Sequence, residues 1–335
     1  MPAPNRTRAR DLALELCKQF PDAPSLQLAR KLRKDHPVVF HSTEYARDKI
    51  RHIRGAKGNR LRSNAELPRT PRSAGELPPM PPSLAEPFEP FVMDGCQRVG
   101  VISDLHVPFH SDKAIAAALA KLEDNEIDGL LINGDYCDFY AISRYEKHPD
   151  ARSFADELRF CIEGLRHIRA RFPKARVVFK LGNHEERFDS FIFQRAPELY
   201  GVDACRIQDL LKLSSMGIEC VTDQRPILLG KLPVLHGHEL AKGISAPVNP
   251  ARGAFLRTIH TVAVGHSHRT STHVEPDMFG REVAVWSVGC LCGLNPRYNR
   301  FAKSNHGFAY VSVSANGDFD FENYRVSRDW KVRTA

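Results

Sequence analysis

A chain of 335 residues with 42% hydrophobic and 26% charged side chains has the apolar content for one large packed core or two smaller ones, so a disordered or fibrous protein is excluded. Its eight cysteines contain no CxxC pair, only Cys290-Leu291-Cys292 close together, which argues against a disulfide scaffold and for a reduced, cytoplasmic setting. The N-terminus MPAPNRTRARD lacks an apolar signal core and no later stretch approaches a membrane-spanning length, so no membrane association is expected.

The net charge of +8 is unevenly distributed. Residues 1–63 hold fifteen Lys and Arg against six acids, a net of +9, leaving the rest near neutrality. Leu12, Leu14, Leu16 and Phe20 suggest a first helix over 7–20, ended by Pro21. Ser25 can cap a second that stops before Pro37, and Ser42 or Thr43 a third over 44–54, stopped by Gly55. Three short helices with a basic third one suggest a small all-α, helix-turn-helix-like domain over 1–63. Arg47, Lys49, Arg51 and Arg54 are then the candidate nucleic-acid contacts, through phosphate. The plainer alternative is a helical bundle with a solvated charged surface. No Asn or Gln lies within the third helix, which argues against sequence-specific base readout.

Residues 64–93 contain eight prolines among Ser, Ala and Glu and predict an extended linker. From 94 to 335 the pattern becomes strand, turn and helix, repeated. Helices are expected over 112–123, 153–172, 185–195 and 251–260. IECV, PILLG and LPVLH predict closely spaced antiparallel strands, EVAVWSVG and GFAYVSVS complete the sheet, and Asn316-Gly317 marks a terminal hairpin.

Chemistry-bearing residues gather where apolar runs end. RVGVIS leads into Asp104-Leu105-His106, and strand alternation would set that carboxylate and imidazole on one side as a pincer for a divalent cation. GLLIN leads into Gly134-Asp135-Tyr136-Cys137-Asp138, and RVVFKL into Gly182-Asn183-His184-Glu185. LPVL ends in His236-Gly237-His238, and TVAV in Gly265-His266-Ser267-His268. Five such motifs in this order resemble the calcineurin-like metallophosphoesterase superfamily, in its compact bacterial and phage forms with a basic helical N-terminus.

The resemblance implies an α/β fold, an αββα sandwich over about 97–320. It also implies two divalent cations, Mn²⁺ foremost, with Fe, Zn²⁺ or Ni²⁺ compatible with mixed N/O donors. Asp135 would bridge them, Asp104, His106 and His268 completing one site and Asn183, His236 and His266 the other. Water ionised between the cations would attack phosphorus in line with the leaving group. His184, one residue past a ligand, would face the substrate and protonate the leaving oxygen or stabilise its charge, oriented by Asp138. Arg187 and Arg269 adjoin motifs and are candidates for gripping phosphate. His238 is expected in a supporting or loop position and His306 is a possible cleft residue, whereas His110 and His260 are incidental. Trp286 and Tyr298 would be core or cleft walls.

Serine/threonine protein phosphatases of the superfamily follow GD-x-x-D with Arg-Gly, but here Phe139-Tyr140 follows Asp138. The first expectation is therefore a phosphodiesterase or nuclease acting on nucleic acid or nucleotides. A phosphomonoesterase or protein phosphatase is the alternative. A DNA-binding regulator with an inactive phosphoesterase domain is the third. Substrate and oligomeric state are not legible.

Overall fold

The computed structural model describes residues 4–55, 80, 82–85, 88–148, 150, 152–240, 248–297 and 299–335. Two compact units divide between Ala85 and Glu86. Most of the proline-rich linker, and Tyr298, lie outside the described residues.

The first unit is three helices: α1 (Pro4–Gln19), α2 (Ser25–Asp35) and α3 (Thr43–Ile53). Ala9, Ala13, Leu16 and Cys17 of α1 pack with Leu28, Ala29 and Leu32 of α2 and Ala46, Ile50 and Ile53 of α3. The spacing 9/13/16/17 is a helical stripe, and two alanines in it let α3 approach closely. The buried face of α1 is therefore not the leucine row expected from sequence: Leu12 and Leu14 are half-buried and Phe20 is exposed. Ser42 caps α3, its hydroxyl accepting from the Tyr45 amide at 3.0 Å. The seven-residue link over 36–42, folded around buried Phe40, departs from the short turn of a helix-turn-helix.

The second unit holds two sheets. Strands β2 (Arg98–Ile102), β3 (Gly129–Asn133), β4 (Arg176–Lys180) and β5 (Ile218–Val221) run parallel. On the far side of β2, β11 (Gly307–Val313), β12 (Phe319–Val326) and β13 (Val332–Thr334) add antiparallel strands. The other sheet has the order β1 (Phe91–Val92), β6 (Ile227–Leu229), β7 (Leu232–Leu235), β8 (Val262–Val264), β10 (Glu282–Ser287), β9 (Ser271–Pro276).

Strand alternation sorts the core into layers. Val99, Val101, Leu131 and Val178 meet Ile227, Leu229 and Val234 between the sheets. Ile102, Leu130, Ile132, Val177 and Phe179 face outward to helices α4 (Asp112–Asp124) and α5 (Phe154–Arg171), which bring Leu119, Leu122, Leu165 and Ile168. Helix α7 (Pro250–Thr258) covers the second sheet with Ala251 and Ala254 against Val262, Val264 and Val285. Burial on both faces is why the parallel strands are continuous apolar runs. The result is the αββα sandwich.

Three strand assignments differ from expectation. IECV (β5) does not pair with PILLG; it is a parallel edge strand on β4, with Ile218 in the helix-side core and Val221 in the inter-sheet core. EVAVWS and GFAYVSV, expected in one sheet, belong to different ones. Phe91–Val92 pairs with β6 and Met93 is buried, so the sandwich begins before residue 94.

Candidate metal centre

Every strand that carries a motif ends at the same edge of the sandwich, and the loops beyond them are zipped together by backbone bonds. Asp104 N donates to Gly134 O (3.1 Å), His106 N to Asp135 O (3.0 Å) and Val107 N to Tyr136 O (2.7 Å). Asp104 and His106 lie past the end of β2 and are not in extended strand. They have φ of +56° and +51°, and Asp135, His266 and His268 are left-handed as well. Simple alternation therefore does not explain the pincer. Each such non-glycine residue costs about 1–3 kcal/mol, which the surrounding bonds must offset.

Asp135 sits at the centre. Its Oδ1 accepts from the His184 amide at 2.9 Å. Its Oδ2 faces four imidazoles: His236 Nε2 at 3.2 Å, His184 Nε2 at 3.8 Å, His106 Nε2 at 3.9 Å and His266 Nδ1 at 4.0 Å. Asp104 Oδ2 accepts from Ser103 Oγ (2.6 Å) and the His266 amide (2.9 Å), while Oδ1 lies 3.1 Å from His268 Nε2. Asn183 stands between Gly182 and His184, both of which adjoin Asp135.

The donor set suits divalent cations. Asn183 Oδ1 is buried without a hydrogen-bond partner, and Asp104 Oδ1 and His236 Nε2, buried too, have only the imidazole and carboxylate of the same cluster in ion-pair range. His236 Nδ1 donates to Asn133 O at 2.7 Å, so that in the neutral ring Nε2 is the nitrogen left for a cation. His106 Nε2 and His268 Nε2 stand 3.1 Å apart, too close for both to carry protons. Burial works against charge on both carboxyls, yet His268 holds Asp104, and His236 holds Asp135, below the usual carboxylate range. Burial likewise pushes His236 down, but the Asp135 carboxylate overrides it and raises the imidazole to about 10. The pocket calls for positive charge.

A model of the calcineurin-like phosphoesterase family matches residues 97–287. The chain belongs to that family. Among characterised sequences it is 27% identical over 241 residues to the gene 54 protein of Mycobacterium phage L5, covering 65% of this chain and 89% of that protein. The gene 54 protein of Mycobacterium phage D29 is 26% identical over 235 residues, 66% of this chain and 90% of that one. Among solved structures, Vacuolar Protein Sorting 29 from Cryptosporidium parvum matches at 16% identity and a TM-score of 0.36, over 72% of this chain and 96% of that one. Yfce, a phosphoesterase from E. coli, matches at 14% identity and a TM-score of 0.34, over 71% and 98%.

Beside Asp135 and its ring of imidazoles, Asp138 serves two rings. Its Oδ1 lies 3.0 Å from His106 Nδ1 and 3.4 Å from His184 Nδ1, whereas its carbonyl accepts from His184 Nδ1 at 2.8 Å. Backbone therefore holds His184 more closely than the carboxylate expected to orient it. Arg187 donates to the same carbonyl at 2.7 Å and contacts His184 Nε2 at 2.8 Å. Asp135 and Asp138 raise the His184 imidazole against the burial that lowers it. A guanidinium can only donate, so in this arrangement Nε2 is bare.

Glu185, to which the sequence assigns no role, is a brace. Fully buried, its carboxylate accepts from the Asp135, Cys137 and Gly182 amides at 3.0, 2.7 and 2.8 Å, bracing two ligand loops at once. The sequence signal for it is the Glu that closes Gly-Asn-His-Glu. Cys292 Sγ, 3.8 Å behind His268 Nδ1, had no such signal.

The remaining candidates sit elsewhere. His238 lies against Glu186 (3.1 Å), its ring centroid 5.3 Å from that of His236. His306 is buried, its Nε2 2.9 Å from Cys292 O and its ring 5.9 Å from that of Trp330. Trp286 stacks on Phe321 as part of the inter-sheet core. His110 pairs with Asp112 (3.0 Å), and His260 is exposed. Arg269 is half-buried, its carbonyl accepting from Ser287 Oγ at 2.7 Å. In α3, Arg47 and Arg51 are exposed and the Lys49 ammonium lies 5.1 Å from the Tyr45 ring. Arg54 is a correction: its guanidinium is committed to the Ala23, Phe20 and Pro21 carbonyls at 2.6, 3.0 and 3.0 Å and to Ser25 Oγ at 3.2 Å, so it ties the α1–α2 loop and does not reach outward.

Proposed function

We propose that this chain is a metal-dependent phosphodiesterase acting on nucleic acid or nucleotides, with the helical unit as its nucleic-acid contact. The observation that carries the hydrolytic part is the pairing of His184 and Arg187 beside buried Asp104 Oδ1, Asn183 Oδ1 and His236 Nε2. Asp104, His106, Asp135 and His268 would hold one cation, and Asp135, Asn183, His236 and His266 a second, with Mn²⁺ the first to test. When bound, such cations lower the pKa of water and neutralise charge on phosphate oxygens. The protein's own part is positional. Arg187 turns from His184 to a phosphate oxygen, which frees His184 Nε2 to carry a proton to the leaving oxygen while Nδ1 stays on the Asp138 carbonyl.

The nucleic-acid part is supported by the exposed cations of the helical unit, Arg30, Lys31 and Lys34 on α2 and Arg47 and Arg51 on α3. A second reading, a phosphomonoesterase, gains from Arg187. The missing arginine after Asp138 argues only against a protein phosphatase, and a guanidinium reaches the Asp138 carbonyl from α6 (Glu186–Arg195) instead.

Bis-p-nitrophenyl phosphate and the monoester, assayed with Mn²⁺ in wild type, His184→Ala and Asp135→Asn, separate the readings. The diester is expected to be the better substrate. His184→Ala should bind metal and lose roughly 10²–10⁴ in turnover, whereas Asp135→Asn should lose both. A monoester preference would favour the second reading, and full activity in either variant would overturn the assigned roles. Nucleic-acid affinity should fall steeply with salt and vanish without residues 1–63. Affinity that survives with no ester hydrolysed would instead indicate a DNA-binding regulator.

A further inference from the structure

The segment that follows Asp138 carries side chains that hydrolysis leaves unused. Residues 139–148 begin on left-handed Phe139, pass through a short 3-10 turn, Tyr140–Ile142, and close on themselves. The Tyr140 hydroxyl donates to the Glu146 carbonyl at 2.7 Å and accepts from the His148 amide at 2.9 Å. The Lys147 ammonium donates to the Tyr145 carbonyl at 2.6 Å, to Ser143 Oγ at 2.9 Å and to the Ser143 carbonyl, and lies 5.3 Å from the Tyr140 ring. Cross-ties of this kind hold the tip of a loop in one place. At the tip Tyr145 is 60% exposed, flanked by exposed Arg144 and Glu146, with the Arg144 guanidinium 5.4 Å from the tyrosine ring.

A single residue joins this tip to the reaction centre. The Asp138 carboxylate backs His106, and its carbonyl accepts from both His184 and Arg187. Tyr145 stands seven residues past Asp138 on this tied loop, whose 3-10 turn packs against the helix Glu186–Arg195 that carries Arg187. An exposed phenol ring next to a cation, on a tied loop that starts at Asp138, is the kind of surface on which a nucleobase stacks.

We infer that Tyr145 is the stacking surface for the base next to the scissile phosphate, with Arg144 placed for the neighbouring phosphate. The substrate class is then single-stranded nucleic acid or a free nucleotide, because a base inside a duplex offers no open face. The inference rests on the nucleic-acid or nucleotide reading above.

The test compares the dinucleotide dTpdT with its abasic counterpart, which keeps the phosphate and removes the bases. Wild type should prefer dTpdT, and Tyr145→Ala should lower kcat/KM on it about ten-fold, chiefly through KM, without changing the abasic substrate. Tyr145→Trp should keep the preference. Equal rates of wild type on both substrates, or an equal loss on both in Tyr145→Ala, would overturn the inference, the second outcome marking Tyr145 as a structural or protein-contact residue. Should only monoesters be cleaved, the diesterase reading fails, and thymidine 5′-phosphate against deoxyribose 5-phosphate reads Tyr145 in the same way. Calorimetric binding of each pair to His184→Ala provides a readout without turnover, and equal affinity for base-bearing and base-free ligands would count against the stacking role.

Discussion

The Asp138 carboxylate lies 3.0 Å from Nδ1 of His106 and 3.4 Å from Nδ1 of His184, standing behind a candidate metal ligand and a candidate catalytic ring at the same time. A carboxylate behind a ligating imidazole fixes its tautomer and raises its basicity. If His106 holds a cation and His184 serves turnover, as proposed, both depend on this one side chain.

Asp138→Ala should lower both Mn²⁺ affinity and turnover by roughly 10–100-fold. Asp138→Asn should lose less, since an amide oxygen still accepts from the His106 Nδ1–H. Isothermal titration with Mn²⁺ beside steady-state kinetics reads both. Unchanged metal affinity in Asp138→Ala would leave His106 independent of it.

Gly182 lies where a side chain would meet the bridging residue. A methyl group there would overlap the Asp135 amide nitrogen and Oδ1. Neither atom can retreat, because the Glu185 carboxylate holds that amide at 3.0 Å and Oδ1 accepts from the His184 amide. Gly182→Ala should keep its far-ultraviolet circular dichroism and lose bound metal by elemental analysis. Wild-type metal content in that variant would contradict the packing argument.

Glu157 supplies a pH dependence. Burial, reinforced by the Asp138 charge, pushes its carboxyl up to about 7. A carboxyl raised in the folded state stabilises fully below its unfolded pKa and loses that contribution as pH rises through the folded value, here between about 4.5 and 7. Glu157→Gln removes the ionisation and should stabilise the protein at pH 8 by on the order of 3 kcal/mol relative to its effect at pH 5. Urea unfolding at the two pH values measures the difference; a gain no larger at pH 8 than at pH 5 would refute it.

The arginines of the helical unit divide by role. Arg54→Ala should destabilise the bundle by removing four internal bonds, seen as faster amide exchange across α1 and α2. Arg47→Ala and Arg51→Ala should leave exchange unchanged and each reduce the salt slope of nucleic-acid binding by about one. The opposite pattern would exchange their roles.

The sequence by itself determined the ligand types and their order, because each motif is a short apolar run followed by donors, and both parts are local. It also determined the helix positions of the sandwich to within a residue or two, through caps such as Ser111 and Ser153, whose side chains accept from Ala114 and Asp156. Which strands share a sheet was not local. IECV and PILLG are four residues apart yet lie in different sheets, because Ile218 and Val221 each find a different core. Tertiary structure alone decided that Asp104 and His106 leave the strand in left-handed backbone, that Arg54 turns inward while Arg47 faces water, and that Glu185 ties the Asp135 loop to its own. Those outcomes depend on which carbonyl, amide or carboxylate arrives from a distant part of the chain, and spacing along the sequence carries no record of that.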